Sequence, residues 1–176
     1  MKIKDFAQYQ KAIEQFCIYP NEGKFGLMYP ILGFIDEMGE FLADPSPDEL
    51  GDAYFYPARI LSHVGLTYPS EYRIEHREKA FDLMISDMDC VMEISQEKFP
   101  VACGQLKKFL RDDNQDKLHD FMDSMLEIVD MLHAAAYWQV ENKTMEGAAI
   151  VIMQMNYDKL YDRMQRNVIK GDGDYR

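Results

Sequence analysis

A chain of 176 residues that is 47% hydrophobic is long enough to bury one sizeable core, and its length sets an expectation of a single domain. With 19 Lys and Arg against 31 Asp and Glu the net charge is −12, which repels nucleic-acid backbones and anionic lipid surfaces and argues against a duplex-binding or membrane-surface role. Cys17, Cys90 and Cys103 are too few and too dispersed for a disulfide framework or a CxxC metal knuckle, Lys2, Lys4 and Asp5 stand where a signal peptide would be apolar, and no run approaches the roughly 20 apolar residues of a membrane span, so a soluble cytoplasmic protein is expected.

In chain order, Phe6, Tyr9, Ile13 and Phe16 recur at three and four residues and predict a first amphipathic helix. Breakers from Pro20 to Gly26 separate it from a second apolar-periodic run, which ends before Pro45 and Pro47. Ser46, Pro47 and Glu49 then read as the N-cap, first helical position and capping box of a third helix that runs toward Gly65 to Pro69. Further breaks are predicted at Pro100 to Gly104, Asp112 to Asp116 and Lys143 to Gly147, with Phe121, Met125, Ile128 and Leu132 marking a strongly periodic helix before the last of them. Sustained alternation of β-branched residues is missing, so the reading is an all-α bundle of about six helices. Short linkers argue against a second independent domain. Most of the 13 methionines, including Met122, Met125 and Met131, fall at helical spacing and read as core. The tail KGDGDYR, Lys170 to Arg176, reads as a loop.

Glu37 and Glu40 are three residues apart, as are Glu49 and Asp52, so on helices each pair projects from one face. The short stretch between Glu40 and Glu49 suffices to end one helix, turn through Asp44 to Pro47 and start the next, which brings the pairs mouth to mouth in an antiparallel hairpin flanked by Leu32, Phe41, Leu50 and Tyr54. Four carboxylates packed together need neutralising, and a hard divalent cation such as Mg²⁺ does this with oxygen ligands. The competing reading of either pair alone is a solvated helix face, with Glu49 serving only the capping box.

The run MYPILGFIDEMGEFLADPSPDELGDAYFYPARILSHVGL resembles the core of MazG-type nucleoside triphosphate pyrophosphohydrolases, the all-α NTP-pyrophosphatase superfamily, whose mark is ExxE followed by ExxD. Tyr9 and Gln10 are similar to the YQ that opens many short members; Asn156, Lys159 and Arg163 match an NxxKLxxR segment, and Lys170 to Arg176 the GDGDxR tail. The resemblance implies one MazG-like domain over 1–176, with a metal-binding hairpin part at 1–67, a helical insertion or degenerate repeat at 68–145, and the NxxK helix and tail at 146–176. It implies Glu37, Glu40, Glu49 and Asp52 as catalytic metal ligands for Mg²⁺, with Mn²⁺ a substitute. Asn156, Lys159, Arg163, Lys170 and Arg176 would meet substrate phosphates, with Asp172 and Asp174 orienting the cationic side chains of the tail. The implied reaction splits the α–β linkage of a nucleoside triphosphate into monophosphate and pyrophosphate, with Glu40 chosen as base for the attacking water. Assembly is open: the chain can act alone or pair through its apolar helix faces, and of the homo-oligomers a dimer is favoured.

The chain departs from that pattern in two ways. The Glu40 to Glu49 gap is short, and about seventy residues from Tyr68 to Met145 precede the NxxK segment. That stretch holds a second ExxD, Glu127 and Asp130, which suggests an internal duplication whose second hairpin has lost most ligands; a solvated face, or a share in the metal site, are the alternatives. Gln10, Tyr29, Tyr56 and Trp138 are candidates for base recognition. Two other functions compete: a catalytically degenerate nucleotide- or partner-binding protein, and a di-metal carboxylate oxidase, for which Asp130 with His133 and Asp116 with His119 offer the nearest His spacing.

Overall fold

A computed structural model describes residues 1–20, 22–23, 25–68, 87–141 and 144–168. Every regular element among them is helical. Helix α1, Phe6–Ala12, tightens into a 3₁₀ turn at Ile13–Phe16; α2 spans Phe25–Ala43 and α3 Pro47–His63. Then come α4 at Asp87–Glu93, a π turn at Ile94–Lys98 and α5 at Phe99–Asp112, followed by α6 at Gln115–Gln139 and α7 at Met145–Gln165.

Helix starts follow local side-chain chemistry. The Ser46 hydroxyl accepts the Glu49 amide at 3.2 Å, as its capping-box spacing predicts. Asp5, Asn114 and Thr144 cap α1, α6 and α7 in the same way. At the α5–α6 junction Asp113 takes a left-handed φ of 51°, ending one helix just before Asn114 opens the next. One expected break is absent: α4, the π turn and α5 run on through Pro100 and Gly104. Pro100 lies in the first turn of α5 directly after the π turn, and Lys98 and Phe99 before it keep helical dihedrals, so the proline does not end the helical run.

Helices α2 and α3 form an antiparallel hairpin, and α3 also meets α6 and α7, which pack on one another; α1 lies across α3 and α7. The seams close around Tyr9, Phe34, Phe41, Leu50, Tyr54, Leu61, Phe121, Met125, Leu132 and Ile152, all fully buried. These belong to one contiguous apolar cluster to which every described helix contributes, the arrangement that turns individually weak amphipathic faces into a stable bundle. Met125 and Met131 join that core as expected, whereas Met122 is only half-buried. Leu32, expected to flank the hairpin's apolar interior, faces outward and is 62% exposed. No helix among the described residues is long and apolar enough to cross a membrane.

Candidate metal centre

The hairpin brings Glu37 from α2 together with Glu49 and Asp52 from α3, one carboxylate oxygen of each lying within 4.8 Å of the others. The Ser46 cap sets where α3 begins and therefore places Glu49 in its first turn and Asp52 one turn on. Glu49 is 8% exposed, whereas Glu40 stands open to solvent one turn along α2. Three of the four carboxylates expected as ligands thus converge; Glu40 stays outside the trio, close enough to act on Glu37 through its charge.

Helix α7 completes the site. Asn156 donates to one oxygen of Asp52 at 2.7 Å and Lys159 to the other at 2.5 Å, while Lys159 also pairs with Asp48 at 3.0 Å. Tyr9 donates to the Asn156 side-chain oxygen at 2.7 Å, which fixes the amide so that its nitrogen faces Asp52. Helix α7 comes close at Gly51, where a Cβ would lie 3.1 Å from the Asn156 Cβ, tighter than an ordinary contact. Arg163 follows one turn beyond Lys159 and its charge is felt at Asp52. Lys170, Asp172, Asp174 and Arg176 lie outside the described residues.

The charges are unbalanced. Burial first, then the negative charges of Asp52 and Glu40, push the Glu37 carboxyl up to about 8 against the opposing pull of Lys159. Burial raises Asp52 more than Lys159 lowers it. Burial works to lower the Lys159 ammonium, but Asp52 and Asp48 together hold it above its ordinary value. One ammonium therefore does not neutralise the cluster. An all-oxygen set of three carboxylates, one of them reluctant to ionise because of burial and its acidic neighbours, fits a hard divalent cation such as Mg²⁺.

Other expected site residues sit elsewhere. Glu127 is exposed and reaches Lys98 at 3.7 Å, and buried Asp130 accepts a hydrogen bond from the Tyr68 hydroxyl. His133 stacks on Tyr68 and its Nδ1 lies 2.7 Å from the Val129 carbonyl, while His119 is exposed, so neither completes a carboxylate–histidine centre. Among the described residues, Glu37, Glu49 and Asp52 form the one group of three or more such side chains able to hold a metal. Gln10 is occupied: its amide donates to the Ser62 hydroxyl and the Leu66 carbonyl and its oxygen accepts the Tyr68 amide. Trp138 lies on the surface. Tyr29 and Tyr56, by contrast, line an open groove of about 620 Å³ that also takes in Gly33, Asp36 and Glu40. The Tyr56 ring lies so close over Gly33 that a Cβ there would fall 2.1 Å from it.

Sequence reading missed Asp48 as a partner of Lys159, and Gly51 as the gap that admits α7. A glycine between Glu49 and Asp52 was the available signal, because a helix interior tolerates glycine at about 1 kcal/mol and usually for packing. No protein-family model, curated protein or solved structure matches the chain.

The Tyr9–Asn156–Asp52 chain yields a direct test of stability. Tyr9→Phe leaves the buried Asn156 oxygen without its donor, so a loss of about 1–2 kcal/mol and a fall in Tm of about 3–6 °C are expected. An unchanged melting curve would show that the hydrogen bond does not anchor α7.

Proposed function

We propose that the chain is a Mg²⁺-dependent nucleoside triphosphate pyrophosphohydrolase of the all-α, MazG-like type, converting a (d)NTP to monophosphate and pyrophosphate in nucleotide-pool housecleaning. The observation that carries this reading is the meeting at Asp52 of Asn156 and Lys159, 104 and 107 residues away in sequence, beside Glu37 and Glu49. Residue types that bind phosphate and residue types that bind a hard cation share one small site.

In this reading Glu37, Glu49 and Asp52 hold the cation. When bound, Mg²⁺, or Mn²⁺ in its place, supplies Lewis-acid stabilisation of charge on the phosphates. Lys159, which pairs with Asp52 and Asp48 in the structure, would serve as a phosphate contact if the trio held a cation, and Arg163 would extend the cationic row along α7. Lys170 and Arg176 are proposed as further phosphate contacts, with Asp172 and Asp174 as their orienting partners, on the resemblance of the KGDGDYR tail alone. Glu40, exposed on the groove side, receives the proton of the attacking water. Tyr29 and Tyr56 offer aromatic faces for the nucleoside.

Purified protein supplied with Mg²⁺ should release pyrophosphate rather than orthophosphate from at least one canonical or modified nucleotide. Failure across a broad panel refutes the reading. One observation favours a binding-only rival: Lys159 already ion-pairs with Asp48 and Asp52. Calorimetry with nucleotide and metal, run beside the turnover assay, separates holding from hydrolysis.

The chain acts as a homodimer in the same proposal. Met28, Leu32 and Ile35 form an exposed apolar stripe at helical spacing on α2, between 50% and 62% exposed, and a second copy seated there would also wall the groove that Leu32 and Ile35 line. Sedimentation should show a dimer whose mass halves in Leu32→Glu. A wild-type monomer at all concentrations overturns this part.

A further inference from the structure

The α2–α3 seam continues beyond the carboxylates. Glu37 meets Asp52, Gly33 lies under Tyr56, and the same antiparallel register carries on to Arg59, two turns or about 10 Å along α3 from Asp52. Arg59 is 7% exposed, a rare degree of burial for a guanidinium. Its Nε donates to the Tyr19 hydroxyl at 3.3 Å, and its buried Nη1 has no hydrogen-bond partner. Among the described residues no carboxylate pairs with it. Tyr19 does not supply the missing charge, because burial above all pushes its phenol up to about 12 and keeps it neutral. The Tyr19 ring stacks on Tyr29 at 4.2 Å, and Tyr29 also lines the open groove along α2.

A buried cation with an orphaned donor is strongly unfavourable unless an anion completes it. We propose that Arg59 is the receptor for an oxyanion, a phosphate or a carboxylate, carried by a ligand that binds at the Tyr19–Tyr29 end of the α2–α3 seam. The planar fork suits such a group: Nη1 is free to donate, and the Nε–Tyr19 bond holds the guanidinium in place. The anion site itself requires neither a metal nor hydrolysis.

The test uses the full chain in EDTA, so that it stands or falls apart from the nucleotide reading. Inorganic phosphate and acetate are compared with chloride at equal ionic strength. At tenfold excess over its Kd the favoured anion should raise Tm by about 3–6 °C. In ¹⁵N-labelled protein the Arg59 Nε–H resonance should move saturably with the same anion. A response to phosphate alone assigns a phosphoryl group, and a response to acetate a carboxylate. Arg59→Lys and Arg59→Met should both lose the thermal shift, and Arg59→Met without added anion should melt at or above the wild type, since it removes an unpaired buried charge. A wild-type Arg59 resonance unmoved by either anion overturns the proposal, whether or not the variants fold. So does an anion-induced thermal shift that persists in Arg59→Lys.

Discussion

A protein carrying Asp52→Ala is expected to release pyrophosphate at least about 10²-fold more slowly than the wild type and to lose its stabilisation by Mg²⁺. Loss of a residue that merely supports a metal ligand already costs about 10- to 100-fold. Asp52 does more, because it is one of the three converging carboxylates and also the point where α7 delivers Asn156 and Lys159. Without it the Asn156 amide loses its acceptor and Lys159 keeps only Asp48. Glu40→Ala makes the informative comparison. Glu40 lies outside the trio, so its removal should leave Mg²⁺ affinity within about threefold of wild type while turnover collapses, if it serves as the base. Glu127→Ala paired with Asp130→Asn should leave turnover nearly intact once folding is verified, because those side chains engage Lys98 and Tyr68 instead. Full turnover in Asp52→Ala would remove the trio from the reaction.

The second large effect is a dependence of metal binding and stability on pH. The Glu37 carboxyl, ordinarily at 4.5, is pushed up to about 8 by burial and by its acidic neighbours. Between those values the folded, metal-free chain holds a proton that the unfolded chain has released, so stability must fall as pH rises. The contribution is fully present below the unfolded value and is lost as pH climbs through about 8. Asp52 is shifted in the same direction and adds to the slope. Lys159, raised above its ordinary value of 10.5, contributes stability that is lost only at more alkaline pH and leaves this window unaffected. Thermal melts in EDTA should therefore drop steadily from pH 5 to 9. Because Mg²⁺ must displace the Glu37 proton, its affinity should climb about tenfold per pH unit and level off above about 8. Added Mg²⁺ then restores most stability at the alkaline end. A metal affinity that does not change from pH 6 to 8 would show that Glu37 is not among the ligands.

The amino-acid sequence alone determined most of the local elements and the stretch of chain that carries the acidic cluster. Period-3.6 apolar spacing is a property of neighbouring residues, so the helices could be read without knowing what covers them. The Ser46 cap depends on a side chain and an amide three residues apart, so it too was legible, and with it the placing of Glu49 and Asp52 on one face. Pro100 differs from expectation because proline disfavours a helix interior, whereas the π turn just before it, which local pattern does not announce, carries the helical path into α5. Leu32 was misplaced for a related reason. A helical stripe announces which residues share a face but not which face the bundle will bury, and here Phe34, edge-on to Phe99, and Phe41 are buried while Leu32 and Ile35 stay outside.

Within the carboxylate centre, what tertiary structure decided is which acids meet. Glu37 and Glu40 are equivalent by spacing, and the crossing of α3 on α2 selects Glu37. The long-range arrivals were equally beyond local pattern: Asn156 and Lys159 reach Asp52 because Gly51 lets α7 come close and Tyr9 turns the amide. Arg59, which no local motif singles out, is buried without a counter-ion among the described residues through the packing around it. Composition and periodicity set the kinds of group the chain carries. Their charges and partners follow from burial and proximity, which depend on residues far apart in the chain.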